Sequence, residues 1–247
     1  MTAVGRWCAV VPTFDNPRTV RDVVETVRSY DLEVVLVDDG SGNAGQAACE
    51  EIGALRLAHV RRLAHNRGKG AAVQAGFAAA RELAFTHVLQ VDADGQHDLT
   101  RIPAFLAASR TDPTALVIGY PEYDETAPRV RQAARRITDF WVDVEVGKGR
   151  IRDAMVGFRV YPLDAVARLP RLGVGMDFDI EIAVRLVLAG VPTINLPVKV
   201  RYLTAAEGGV SHFRPLVDNL RFAWLHTRLC TAASFRGVLR LLRGGQR

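Results

Sequence analysis

The chain has 247 residues, 49% of them apolar, which is enough for one large α/β domain or two small ones with a sizeable core. Cys8, Cys49 and Cys230 form an odd, widely spaced trio with no Cys-x-x-Cys pair, which argues against a disulfide framework or a zinc site and fits a reducing cytoplasm. The formal charge of +5 is concentrated in one place, because His212 to Arg247 holds seven arginines against one acid, Asp218, and no apolar run reaches the ~18 residues of a membrane span.

The first six residues, Met1 to Arg6, show no charged segment followed by a long apolar one, so no signal peptide is expected. Trp7 to Pro12 is an apolar run that ends in the loop Thr13-Phe14-Asp15-Asn16-Pro17. Thr19 to Tyr30 has helical spacing, and Glu33 to Val37 reads as a strand closed by the acidic turn Asp38-Asp39-Gly40-Ser41. A helix over Ala44 to Ile52, a strand over Leu55 to Val60, an alanine-rich helix over Gly70 to Phe85 and a strand over His87 to Val91 follow. Strands separated by helices of this length imply a mostly parallel sheet covered by helices, with ligands beyond the carboxyl ends of the strands. Phe14, Asp38-Asp39 and Asp92-Asp94 all lie at such ends and are expected to converge on one crevice.

The second half is less regular. Arg101–Ser109 predicts a helix, Ala115–Gly119 a strand, Tyr120–Pro128 a polar loop and Val130–Val146 a helix carrying Arg131, Arg135 and Arg136. Met155–Tyr161 reads as a strand, Phe178–Ala189 as a helix ended by Gly190, and Thr193–Tyr202 as a strand. No internal repeat interrupts this order.

Asp92-Ala93-Asp94-Gly95-Gln96-His97-Asp98 is the most informative stretch. Carboxylates at i and i+2 just past a strand can face one hard cation, and oxygen ligands suit Mg²⁺ or Mn²⁺, which often hold substrate phosphates as well. Asn66-Arg67-Gly68-Lys69-Gly70 precedes the long helix; its glycines admit a phosphate to the backbone, and Arg67 or Lys69 would add charge. It has neither the Walker spacing nor the Rossmann fingerprint.

The order of Pro12-Thr13-Phe14, Val37-Asp38-Asp39-Gly40-Ser41, Asn66-Arg67-Gly68-Lys69-Gly70 and Asp92-Ala93-Asp94-Gly95-Gln96 resembles the family 2 glycosyltransferases of GT-A fold, in particular the dolichol/polyprenyl-phosphate mannose synthase branch. Asp153, Gly157-Phe158-Arg159, Phe178-Asp179-Ile180-Glu181, Gly190, Pro197-Val198 and Gly209-Val210-Ser211 are similar to that branch's later motifs. The resemblance implies a metal-dependent, inverting transfer of sugar from a UDP- or GDP-sugar to a lipid-type acceptor, either a polyprenyl phosphate or a lipid hydroxyl. Pro12, Phe14 and Val37 would line the nucleotide base and Asp39 would read its polar edge. Asp92 and Ala93 would sit by the ribose, while Asp92, Asp94 and Gln96 would hold the metal. Arg131 would meet the phosphates or acceptor, Ser211 would contribute to binding, and Asp94, Asp179, Glu181 and His212 are the candidates for chemistry. Asp15-Asn16 departs from the branch's pattern and changes one nucleotide contact, and Val156 replaces a usual serine. Glu207 and His212 stand where the branch has cations expected for a lipid phosphate, which favours a hydroxyl acceptor. A nucleotidyltransferase and a catalytically silent nucleotide-sugar-binding module are the alternatives.

Domain organisation is expected as a GT-A domain over residues 1–211 and a basic amphipathic helical segment over 212–247. That segment mixes arginine with Phe213, Phe222, Trp224, Phe235, Leu239 and Leu242, a pattern that favours an anionic membrane surface over nucleic acid. The expected location is cytoplasmic, peripheral to the inner face of the cell membrane.

Overall fold

The computed structural model describes residues 5–123, 129–201 and 221–229, with the side chains of 123–134 outside that description. In chain order, β1 (Trp7–Thr13), α1 (Val20–Arg28), β2 (Glu33–Asp38), α2 (Asn43–Ala54), β3 (His59–Arg62), α3 (Lys69–Glu82) and β4 (His87–Gln90) make the first half. A 3-10 turn (Leu99–Arg101) leads into α4 (Ile102–Thr111), β5 (Leu116–Tyr123), α5 (Arg129–Val146), β6 (Arg159–Pro162), α6 (Leu163–Ala167), α7 (Phe178–Leu188) and β7 (Thr193–Val200). Residues 221–229 form a further helix, α8.

The strands build one seven-stranded sheet in the order β3-β2-β1-β4-β6-β5-β7. β6 runs antiparallel to both of its neighbours, and the remaining pairs are parallel. The expected α/β class with a mostly parallel, helix-flanked sheet is therefore observed, and the reversal of β6 is its one exception. Successive strand residues feed opposite faces: Cys8 and Val10 join one buried cluster, Ala9 and Val11 the other. Valines and leucines without alternating polar residues are what a strand buried on both faces requires. α1, α2 and α4 cover one face; α3, α5, α7 and α8 cover the other. α3 lies so close to β1 that a Cβ on Gly76 would stand 2.3 Å from Val10 Cγ1.

Three expected elements differ. The strand expected over Leu55–Val60 starts only at His59, because Leu55 caps α2 and Arg56 turns the chain with φ of 55°. β3 is an exposed edge strand of sequence His-Val-Arg-Arg, and its polarity hid it. The strand expected from Met155 starts at Arg159, because Asp153 Oδ1 accepts from the backbone N–H of Met155 and Val156 at 2.7 and 2.8 Å and winds that segment into a turn. The loop expected from Tyr120 begins later, since Tyr120 to Tyr123 continue β5 alongside Pro197 to Val200 of β7.

α8 is part of the domain core. Phe222, Leu225 and Leu229 are buried with α3, α5 and α7, and His226 Nδ1 lies 2.8 Å from Glu145 Oε1 of α5. Among the described residues no helix is long and apolar enough to cross a membrane. Cys8 and Cys49 are buried free thiols; Cys230 lies outside the described residues.

Asp139 on α5 gives a pH test of this packing. Burial and the nearby Asp153 carboxylate push its carboxyl up to about 7, against the Arg135 guanidinium. The folded chain thus holds this proton more tightly than the unfolded chain. The stability it contributes is present below its ordinary value of 3.8 and is lost as pH rises towards 7. Asp139→Asn is expected to flatten the melting temperature against pH in that window and to raise it at pH above 7. Parallel profiles for the two proteins would show that Asp139 does not titrate in this way.

Candidate active site

The carboxyl ends of β1, β2 and β4 share one edge of the sheet, and the turns that leave them are tied to each other. Asp39 N donates to Thr13 O at 2.9 Å, which links the ends of β2 and β1. Asp15, at a φ of 51°, accepts from Gly42 N on Oδ1 at 2.8 Å and donates its own N–H to Ser41 Oγ at 2.9 Å. Asp38 Oδ1 accepts from Ser41 N at 2.8 Å, and its other oxygen meets Arg62. Gly40 has φ of +74°, and a Cβ there would strike the His65 backbone at 2.5 Å, so only glycine lets the two turns stack.

Asp39 organises the basic turn. Its Oδ1 accepts from Arg67 N at 2.8 Å and its Oδ2 from Gly68 N at 2.9 Å. Burial pushes this carboxyl above its ordinary value, against the pull of those two backbone bonds. Pro12 is buried and Val37 is fully buried in the core, so their side chains position the rim and do not project from it. Phe14 is half-buried at the end of β1. Ala93 is buried, and its carbonyl accepts from Thr19 Oγ1 at 2.6 Å.

Lys69 holds the centre. Its ammonium lies 2.9 Å from Asp92 and 2.8 Å from Asp179, with its side chain 16% exposed. It is thus engaged by carboxylates, not free to reach a phosphate as the sequence had implied. Burial alone would lower the Lys69 pKa, but Asp179 and Asp92 more than reverse this and hold the ammonium above its ordinary range. Burial alone would likewise raise Asp179, but Lys69 and Arg159 hold it below the usual carboxylate range. Gln90 Nε2 also donates to Asp179 at 3.0 Å, and the buried Arg159 guanidinium donates to the Asp179 carbonyl at 2.5 Å. Asp92 rests on the Gly157 backbone: a Cβ there would stand 2.3 Å from Asp92 Oδ2.

Asp94 stands beside this pair. Burial and the Asp92 charge push its carboxyl above the ordinary value, and His97 pulls it back. Its Oδ1 accepts from Gln96 N at 3.0 Å, while Gln96 O accepts from Arg201 N at 2.9 Å. The Asp92 charge makes ionisation of Asp94 costlier, a cost that a nearby cation would offset. Among the described residues no group of three or more His, Cys, Asp or Glu could enclose a metal. The donor set therefore fits a hard cation held by one or two carboxylates and completed by water and phosphate oxygens.

Glu181, a candidate for chemistry in the sequence, is held inside the fold. It is fully buried; Oε2 accepts from Gly173 N at 2.7 Å, and Oε1 meets Arg185 at 2.7 Å and Arg228 of α8 at 2.5 Å. Asp179 is likewise buried, at 3% exposure. Arg131 lies on α5, but its side chain is outside the described residues, as are Ser211 and His212. The sequence reading missed the Lys69–Asp179 bridge, Gln90, Arg159, and His97 with its buried, partnerless Nδ1. Only the run Gly157-Phe158-Arg159 signalled part of this layer.

The sheet order and the acidic crevice define a sugar-transferring GT-A architecture, and comparison with known proteins agrees. The family model "Glycosyl transferase family 2" matches residues 8–165, so the chain belongs to that family and is a glycosyltransferase. It is 25% identical to glycosyltransferase AglJ of Haloferax volcanii, over 85% of this chain and 67% of that protein. It is 25% identical to polyprenol monophosphomannose synthase of Mycolicibacterium smegmatis, over 83% of this chain and 80% of that one. Among solved structures, glucosyl-3-phosphoglycerate synthase from Mycobacterium tuberculosis, in complex with Mn²⁺, uridine diphosphate and phosphoglyceric acid, superposes with a TM-score of 0.69. At 17% identity, over 94% of this chain and 79% of that one, it shows shared fold.

Removing the Lys69 charge strands the buried Asp179 carboxylate and the half-buried Asp92. Lys69→Met is expected to lose about 3–5 kcal/mol in urea unfolding. Adding Asp179→Asn to it should recover part of that loss. A single-mutant cost within ~0.5 kcal/mol of zero would show that the bridge is not needed for the fold.

Proposed function

We propose that the chain is a metal-dependent, inverting glycosyltransferase that moves a sugar from a nucleotide-diphosphate sugar to a lipid-type acceptor. The observation that carries this reading is the meeting of Asp92 and Asp94 with the Asp39-anchored turn 66–70 at one sheet edge. The half-buried Phe14 at the rim would receive the nucleotide base, and Asp39 fixes the turn beside it. Asp94, with Asp92 and Gln96, would hold Mg²⁺ or Mn²⁺, which when bound offsets charge on the leaving diphosphate as a Lewis acid. UDP- and GDP-sugars are both compatible with these residues.

The acceptor is a polyprenyl phosphate rather than a lipid hydroxyl on this reading. A hydroxyl needs a general base near the working pH, within hydrogen-bond reach. Asp179 is held below the usual range by Lys69 and Arg159, and Glu181 is enclosed by three donors. A phosphate oxygen is already ionised and needs neither. The curated relative named polyprenol monophosphomannose synthase supports the same acceptor class. The basic C-terminal segment would bring the crevice to the inner, anionic face of the cell membrane.

The test is transfer of labelled sugar from UDP- and GDP-sugar panels to polyprenyl phosphate and to polyprenol. Wild-type protein is expected to label the phosphate in the presence of Mn²⁺ or Mg²⁺ and to stop in excess EDTA. Asp94→Asn should lower the rate by roughly 10²-fold or more while the protein remains folded. Full turnover in EDTA would remove the metal from the reading. Labelling of polyprenol alone would move the acceptor back to a hydroxyl.

A further inference from the structure

Among the described residues, α5 and α8 together present an exposed apolar face. Ile137, Phe140, Trp141 and Val144 recur at i, i+3, i+4 and i+7 along α5 and are 64%, 60%, 41% and 57% exposed. The opposite stripe of α5, including Val142, Glu145 and Val146, is buried. α8 repeats this arrangement: Phe222, Leu225 and Leu229 face the core, and Trp224 points away from it at 68% exposure. The two helices lie side by side, with the Trp141 ring stacked on His226 at 6.4 Å between centroids. Five large apolar side chains at these exposures amount to several hundred Å² of apolar surface, at the upper end of what a monomer shows without using it.

The charges around this face have one sign. Among the described side chains of the two helices, every exposed charged one is an arginine: Arg136, Arg221 and Arg228. The acids of α5 are half-buried, as Asp139 and Asp143, or buried, as Glu145. Eighteen further residues, 230–247, follow α8 with four arginines and no acid. A second copy of the chain docked on this face would bring two such basic segments together. An anionic lipid surface instead complements them, and tryptophan and phenylalanine are the side chains that settle at its headgroup boundary.

We propose that the α5–α8 face is the membrane-docking surface of this protein and that Phe140 and Trp224 enter the bilayer interface. The proposal rests on the reading that the acceptor is a lipid. Its place in the fold suits that role: α8 is joined to the α7 crevice layer through Arg228 and Glu181, and Arg221 lies against Gly175 in the loop before α7. A bilayer on this face would therefore lie against the layer that carries Asp179.

The experiment is co-sedimentation of the full chain with phosphatidylcholine vesicles, with and without phosphatidylglycerol, at low and high salt. It compares wild type, Phe140→Ser/Trp224→Ser, and Arg236→Gln/Arg240→Gln/Arg243→Gln, each also assayed for sugar transfer in detergent and sized by light scattering. Wild type is expected to bind, most strongly to anionic vesicles. The aromatic double variant should bind roughly tenfold or more weakly on both vesicle types and at both salts, with transfer in detergent unchanged. The arginine variant should lose only the salt-sensitive, anionic part. Wild-type binding by the double variant would overturn the docking face while leaving the lipid acceptor in place. So would a change in mass for that variant, which would make the face an interface between copies. Absence of wild-type binding to any vesicle, together with transfer to polyprenyl phosphate in detergent, would also overturn the face and spare the acceptor reading.

Discussion

The ammonium of Lys69 is the constraint on which the rest of the crevice depends. It sits between Asp92, just past β4, and Asp179, on the first turn of α7, at 2.9 and 2.8 Å. A lysine this enclosed keeps its charge only because two carboxylates offset the loss of water. Three elements must therefore meet: the start of α3, the end of β4 and the start of α7. The backbone has made room for that meeting. A Cβ on Gly68 would strike the Val174 carbonyl at 2.4 Å, and one on Gly70 would strike Phe178 at 2.6 Å. Glycine at both positions lets the 66–70 turn and the loop before α7 close over Lys69.

That bridge divides the acids of the site by role. Asp39 and Asp179 are committed to structure, one to the backbone of Arg67 and Gly68, the other to Lys69 and Gln90. Asp92 faces Lys69 but stays partly exposed, at 20% for its side chain. Asp94 is left with the least compensation, raised by burial and by its neighbour. Asp94, the less compensated carboxylate, stands beside an Asp92 already paired with Lys69, and a hard cation there would be completed by water and phosphate oxygens. Among the described residues, Asp179 and Glu181 are both buried in ion pairs.

Much of this layout was legible in the residue order. Asp-x-Asp past a strand, the Asp38-Asp39 turn and the 66–70 turn are each local patterns, and alternating strands and helices place them on one edge. The family was legible for the same reason. The role of Lys69 was not, because its partner Asp179 comes from a helix far along the chain and a lysine in a glycine-rich turn reads equally well as a phosphate ligand. The burial of Glu181 was not legible for a similar reason: its three donors, Gly173, Arg185 and Arg228, come from a loop, its own helix and α8. β3 was misplaced because an exposed edge strand of His-Val-Arg-Arg carries little apolar signal. The start of β6 was placed too early because the turn set by Asp153 depends on side-chain hydrogen bonds that periodicity does not register.

The central claim is that Asp92 and Asp94 hold a divalent cation jointly with a nucleotide diphosphate. Calorimetric titration of UDP and GDP into the protein, with and without Mn²⁺, tests it most directly. The account predicts weak binding of nucleotide alone and of Mn²⁺ alone. Each should tighten the other by the same factor, on the order of tenfold or more, whichever is added first. Equal nucleotide affinity in the presence and absence of the cation would contradict it.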